Sequence, residues 1–195
     1  MRHIISVLVE NEFGVLARVS GLFSGRGFNI ESLCVAETTD PTVSRITLVT
    51  SGDDQVVEQI TKQLNKLINV IKVSDFSNSS HVERELVLVK VSADERTRGE
   101  VMNVVNIFRG KVVDVANRSY VVEVTGAEEK VNAFIDLLKP YGIKETVRTG
   151  IVAMYRGAQV LGETAREEKP KPGARPERPE QPAPVVPEVE GIEFV

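Results

Sequence analysis

Apolar positions along this 195-residue chain recur with two periods, and the two periods succeed each other in an order that is written twice. "HIISVLVE" is a β-branched apolar run of strand character. Val15, Leu16, Val19, Leu22 and Phe23 then fall at helical spacing, predicting a helix that ends near Gly25 or Gly27. "FNIESLCVAET" and "SRITLVTS" read as strands on either side of an Asp40-Pro41 turn. Val56, Val57, Ile60, Leu64 and Leu67 mark a second amphipathic helix opening after Gly52-Asp53-Asp54, and "NVIKVSDF" supplies a fourth strand. The order is β-α-β-β-α-β.

The polar stretch "SNSSHVER" then reads as a connection, with the linker proper at 79–84. Beyond it the same order returns. "ELVLVKVS" is a strand, and Val101, Val104, Val105 and Phe108 form a helical stripe. "KVVDVAN" and "SYVVEVTG" form a strand pair. Val131, Phe134, Ile135 and Leu138 mark a helix stopped by Pro140 and Gly142, and "IKETVRTG" is the last strand. The expected fold class is α+β, with two tandem ferredoxin-like βαββαβ domains at 1–78 and 85–160. Seven of the nine prolines lie beyond residue 162, among alternating charges, so 161–195 is expected to be a disordered tail.

Composition narrows the chemistry. Net charge is −4, without the basic excess of a nucleic-acid binder, and the central strands lack the aromatic residues an RNA-binding sheet would stack on bases. A single cysteine, Cys34, permits no intramolecular disulfide and suits a reducing, cytoplasmic setting. The apolar run at the N-terminus is too short to span a membrane. His3 and His81 have no Cys, Asp or Glu at metal-ligand spacing, and Cys34 sits inside a strand as a small hydrophobe. Asp53-Asp54 and Glu128-Glu129 fall at helix starts, where they complement the macrodipole. "GLFSGRG" closes a helix instead of opening one, so it is no phosphate loop. No catalytic residue and no metal ligand is expected.

One stretch, "ENEFGVLARVSGLFSGRGFNIESL", has binding character. A helix start presents free N–H groups and the positive end of the dipole, which suits a carboxylate. Gly14 would let a ligand approach the backbone, and Asn11 can both donate and accept. Asn29 and Ile30 enter from the start of the second strand, and Val15, Leu16 and Ile30 would form an aliphatic wall. With no charged side chain for a polar ligand group, the six point to a small aliphatic amino acid. Each also has a plain structural reading: Asn11 as a cap, Gly14 as a turn residue, Asn29 as a left-handed position, Leu16 and Ile30 as core. Their expected convergence at adjacent ends of neighbouring elements favours binding, but spacing alone leaves both readings open.

"SVLVENEFGVLARVSGLFSGRGFNIESL", "DPTVSRITLV", "HVERELVLVKV" and "IFRGKVVDV" together resemble the regulatory (small) subunits of acetolactate synthase, also called acetohydroxyacid synthase. The resemblance covers about residues 2–160, and the Pro-rich tail lies outside it. It implies that 1–78 is an ACT domain, an amino-acid-sensing module that pairs across subunits in a homodimer. The effector site would then be Asn11, Gly14, Val15 and Leu16 of one chain facing Asn29 and Ile30 of the other. The implied ligand is valine, with leucine or isoleucine as alternatives. No cofactor is implied for this chain; thiamine diphosphate, magnesium and an optional FAD belong to the separate catalytic (large) subunit, which the family activates and makes sensitive to feedback. The second domain has "SADERTRGE" where the first has its Asn-x-x-Gly turn, so its implied role is contact with the catalytic subunit. A free-standing ACT-type amino-acid sensor acting on another partner is the alternative.

Overall fold

A computed structural model describes residues 1–161. The expected disorder of the tail from residue 162 onward lies outside the described residues. Leu161, which the expectation assigned to the tail, is buried against the first domain.

The first domain runs β1 (Arg2–Glu10), α1 (Val15–Ser24), β2 (Ser32–Glu37), β3 (Val43–Ser51), α2 (Asp54–Leu64) and β4 (Val70–Asp75). Its four strands are antiparallel in the order β2-β3-β1-β4. The second domain repeats this with β5 (His81–Ser92), α3 (Arg98–Ile107), β6 (Lys111–Ala116), β7 (Ser119–Gly126), α4 (Glu128–Leu138) and β8 (Ile143–Arg148), in the order β6-β7-β5-β8. These are the orders of a ferredoxin-like βαββαβ unit.

Each sheet buries one face under its two helices. Ile5, Val7, Val9, Ile46 and Leu48 meet Val15, Val19, Leu22 and Phe23 of α1 and Val57, Ile60 and Leu64 of α2. The second core is built alike, from Val87, Val89, Val91, Val122 and Val124 against Val101, Val105, Val131, Phe134 and Leu138. Valine dominates these inner strand faces because β-branched side chains fit a pleated, buried surface. Asp53 caps α2, its carboxylate accepting from the Val56 N–H at 2.8 Å, and Glu128 and Glu129 occupy the first turn of α4.

Three local expectations are corrected. Strand β2 begins at Ser32 instead of Phe28, because residues 28–31 loop around the end of β3: the Asn29 carbonyl accepts from Thr50 Oγ1 at 2.6 Å and the Glu31 N–H donates to the Val49 carbonyl. The polar stretch at 81–84, read as linker, is the first part of β5. It pairs antiparallel with a further strand, β9 (Val152–Tyr155), which the periodicity did not predict.

This β5–β9 ribbon joins the domains. Ile151, Ala153 and Leu161 pack with Ile4, Val49 and Phe76 on the face of the first sheet that its helices leave open. The Phe76 ring lies 4.5 Å from that of Tyr155, edge to face. Arg2, at the start of β1, reaches Glu83 and Glu128 of the second domain at 3.3 and 2.9 Å.

Candidate effector site

The start of α1 is open. Gly14 is its N-terminal flanking residue, in the left-handed region at φ 81°, and no side chain caps the helix. That backbone conformation costs an L-residue on the order of 1 kcal/mol, which explains glycine here. A Cβ built on Gly14 would meet nothing within 4 Å beyond its chain neighbours, and the Val15 N–H donates to the Glu12 carbonyl at 3.4 Å. No acidic side chain lies in that turn.

The neighbouring residues divide by role. Val15 is buried in the core, while Leu16, placed by its spacing in the same apolar stripe, is 43% exposed and borders the open helix start. Phe13 is fully exposed beside it. Asn11 does not cap α1: its Nδ2 donates to Glu37 Oε1 at 3.0 Å and to the Pro41 carbonyl at 2.9 Å, tying the end of β1 to the β2–β3 turn. Below it, buried Asn69 donates to Glu10 at 2.7 Å and accepts from Arg18 of α1. This network fixes the helix start against β1, and spacing could not reveal it because Asn69 lies far along the chain.

Asn29 and Ile30 lie elsewhere. They follow the far end of α1, about 15 Å along a helix of 10 residues. Asn29 contacts Thr50, whereas Asn11 contacts the turn that opens β3, and these ends of β3 are about 24 Å apart. Ile30 packs on the first core, and the Asn29 side chain is exposed. A single chain therefore presents the six residues as two separate patches, at opposite ends of one helix and one strand.

The titratable groups set aside in the sequence lie in local contacts: His81 Nδ1 is 2.8 Å from the Ser79 carbonyl, and the buried His3 Nε2 has no hydrogen-bond partner among the described residues. His3 is 3% exposed, with Nδ1 at 2.8 Å from Ser77 Oγ and 3.8 Å from Asp75. The Ser77 hydroxyl donates to Asp75, so His3 donates to Ser77 and cannot withdraw its proton; three residue types common in catalytic triads are wired in the wrong order for nucleophilic attack. Cys34 is a half-buried free thiol in β2. Among the described residues no cluster of His, Cys, Asp and Glu could hold a metal ion, and no helix is long and apolar enough to cross a membrane.

Two tandem βαββαβ units, the first matched by an ACT-domain family model, place the chain among ACT-type regulatory proteins. A family model described as "AHAS small subunit-like ACT domain" matches residues 5–72, and one described as "Small subunit of acetolactate synthase" matches 84–157. The probable acetolactate synthase small subunit of Archaeoglobus fulgidus is 60% identical over 157 residues, which cover 80% of this chain and 98% of that protein. The acetolactate synthase small subunit of Aquifex aeolicus is 54% identical over 163 residues, 83% of this chain and 85% of that protein. The crystal structure of the acetolactate synthase small subunit from Thermotoga maritima superposes with a TM-score of 0.75 at 45% identity, over 82% of this chain and 99% of that one. The chain belongs to the acetolactate synthase small-subunit family. It is a non-catalytic regulatory subunit with its role in branched-chain amino acid biosynthesis.

Proposed function

We propose that this chain activates the thiamine-diphosphate-dependent catalytic subunit of acetolactate synthase and confers feedback inhibition by valine. Residues 1–78 are the effector-sensing unit, and 85–160 form the unit that meets the catalytic subunit. Two chains pair through their ACT domains, and each valine lies between the α1 start of one and residues 29–30 of the other. The observation that carries this reading is the open start of α1: Gly14 at φ 81° with clear space in front of it, no cap and no carboxylate in the first turn. The valine carboxylate takes the first-turn N–H groups after Val15, whose own N–H is held by the Glu12 carbonyl, and Leu16 covers the isopropyl group. The partner chain's loop supplies the Asn29 amide, which is exposed and separate from Asn11 within its own chain.

Inhibition is a shift of population. Valine favours the arrangement of the paired ACT domains in which the activating contact is weaker, and linkage requires it to bind the two holoenzyme states with different affinity. Gly14→Asp tests the site, because it sets a carboxylate where that of valine must lie, and Asp tolerates the left-handed backbone. In the reconstituted holoenzyme, valine inhibition is expected to disappear while activation of the catalytic subunit persists. Valine inhibition equal to that of wild type would overturn the assignment.

A further inference from the structure

We propose that the contact of Ser32 and Leu33 with Gly150 and Ile151 is the joint through which effector occupancy reaches the second domain. The inference rests on the effector reading above and concerns the regulation of that same site.

On the first-domain side, the segment carrying Asn29 and Ile30 has little independent freedom. Its carbonyl at Asn29 is held by Thr50, the Glu31 N–H by the Val49 carbonyl and the Glu31 carboxylate by the Ser51 hydroxyl. Ser32 and Leu33 continue it directly into β2. Any displacement of Asn29 and Ile30 by a ligand is therefore carried to Ser32.

On the second-domain side, Gly150 meets that strand at the Ser32 side chain and the Leu33 carbonyl. The Ile151 N–H donates to Ser32 Oγ at 3.1 Å. A Cβ on Gly150 would stand 2.8 Å from Ser32 Oγ and 3.4 Å from the Leu33 carbonyl, and φ there is +83°. A side chain there would be strained by the backbone conformation and would have to displace Ser32 Oγ. Ile151 is buried with Ile4 and Val49.

Immediately before the joint, the chain is anchored to β5. The Thr149 N–H donates to the Leu86 carbonyl at 3.1 Å, and Thr149 Oγ1 accepts from the Leu86 N–H at 3.2 Å. Arg148 Nε donates to Glu85 Oε1 at 2.8 Å, and Glu85 is buried. Strand β5 is the hub of the second sheet, pairing with β7, β8 and β9. A continuous set of direct contacts leads from the effector loop to the centre of the second domain, beside a cleft of about 320 Å³ between the domains. That cleft gives the joint room to change its seating, as a bistable contact requires.

The test uses the full chain with its catalytic subunit, as wild type, Ser32→Ala and Gly150→Ala. Three quantities are read: activation, the valine concentration for half-inhibition, and valine affinity of the purified chain by calorimetry. Ser32→Ala removes the hydrogen bond without adding bulk, so it stands if Gly150→Ala folds poorly. Valine affinity within about twofold of wild type, with activation retained and half-inhibition moved upward by tenfold or more, is the expected result. Unchanged inhibition in Ser32→Ala, with unchanged affinity, overturns the joint and leaves the effector reading intact. Loss of valine affinity in step with inhibition overturns it too, because the joint would then be part of the binding site. A wild-type chain that binds no valine overturns both readings.

Discussion

Replacing Phe76 by alanine tests whether the two domains are one cooperative body. The ring is fully buried, 4.5 Å from Tyr155 and 5.7 Å from His81, among Ile4 and Val49 of the first domain and Ile151, Ala153 and Leu161 after the second. Removing a buried Phe side chain costs about 3–5 kcal/mol, the lost transfer energy plus the cavity that rigid neighbours cannot fill. The upper half of that range applies here, because the cavity wall is shared by elements that already have other fixed pairings. Strand β1 is held by β3 and β4, and β9 by β5. Against a stability of about 5–15 kcal/mol the loss is large, and at about 2–4 °C per kcal/mol it lowers Tm by roughly 8–20 °C. Urea unfolding followed by circular dichroism, at one protomer concentration for all variants, measures it. The backbone N–H of residue 76 still donates to the Ile4 carbonyl, so the strand end is not lost with the ring. Phe76→Leu keeps most of the volume and should recover most of the stability. A Phe76→Ala loss below about 1 kcal/mol would refute the claim that this cluster joins the domains.

Asn29→Ala should weaken valine binding by about 1–3 kcal/mol, read by calorimetry; wild-type affinity would remove Asn29 from the site. Asp53→Ala deletes the α2 cap and should cost about 0.5–2 kcal/mol in urea unfolding, with valine inhibition unaffected. The Asp94 carboxylate accepts from the Thr97 N–H, the Thr97 hydroxyl and the Arg96 N–H, which hold its pKa below the ordinary aspartate value. Because the folded-state value is lowered, the stabilisation is complete above pH about 4 and is lost as pH falls through the lowered value. An NMR titration of Asp94 with a midpoint at or above the ordinary value would contradict this.

The helices and inner strand faces were readable because burial imposes one period at a time. Val15, Val19, Leu22 and Phe23 share a helix face, and Ile5, Val7 and Val9 share a strand face. Strand β9 and residues 81–84 were not readable. His81, Glu83 and Arg84 are polar, and what makes them a strand is a partner about 70 residues away, Tyr155, Ala153 and Val152. The candidate site divided in the same way. The turn reading of Gly14 was legible because a left-handed backbone selects glycine, whereas the left-handed position expected at Asn29 does not occur: among the described residues the non-glycine with positive φ is Arg109. The role of Asn11 was not, because Glu37 and Pro41 reach it only once the β2–β3 turn has folded. The separation of Asn11 from Asn29 follows from α1 lying between them, and it makes the partner chain necessary to the proposed site.

That necessity is best tested by mixing. A dimer with Gly14→Asp in one chain and Asn29→Ala in the other carries both changes in one site and neither in the second. Each variant alone should lack full-affinity valine binding. Calorimetry of the purified mixed dimer should recover wild-type affinity at half the wild-type stoichiometry. Absence of any wild-type-affinity sites in the mixed dimer would contradict a site shared between two chains.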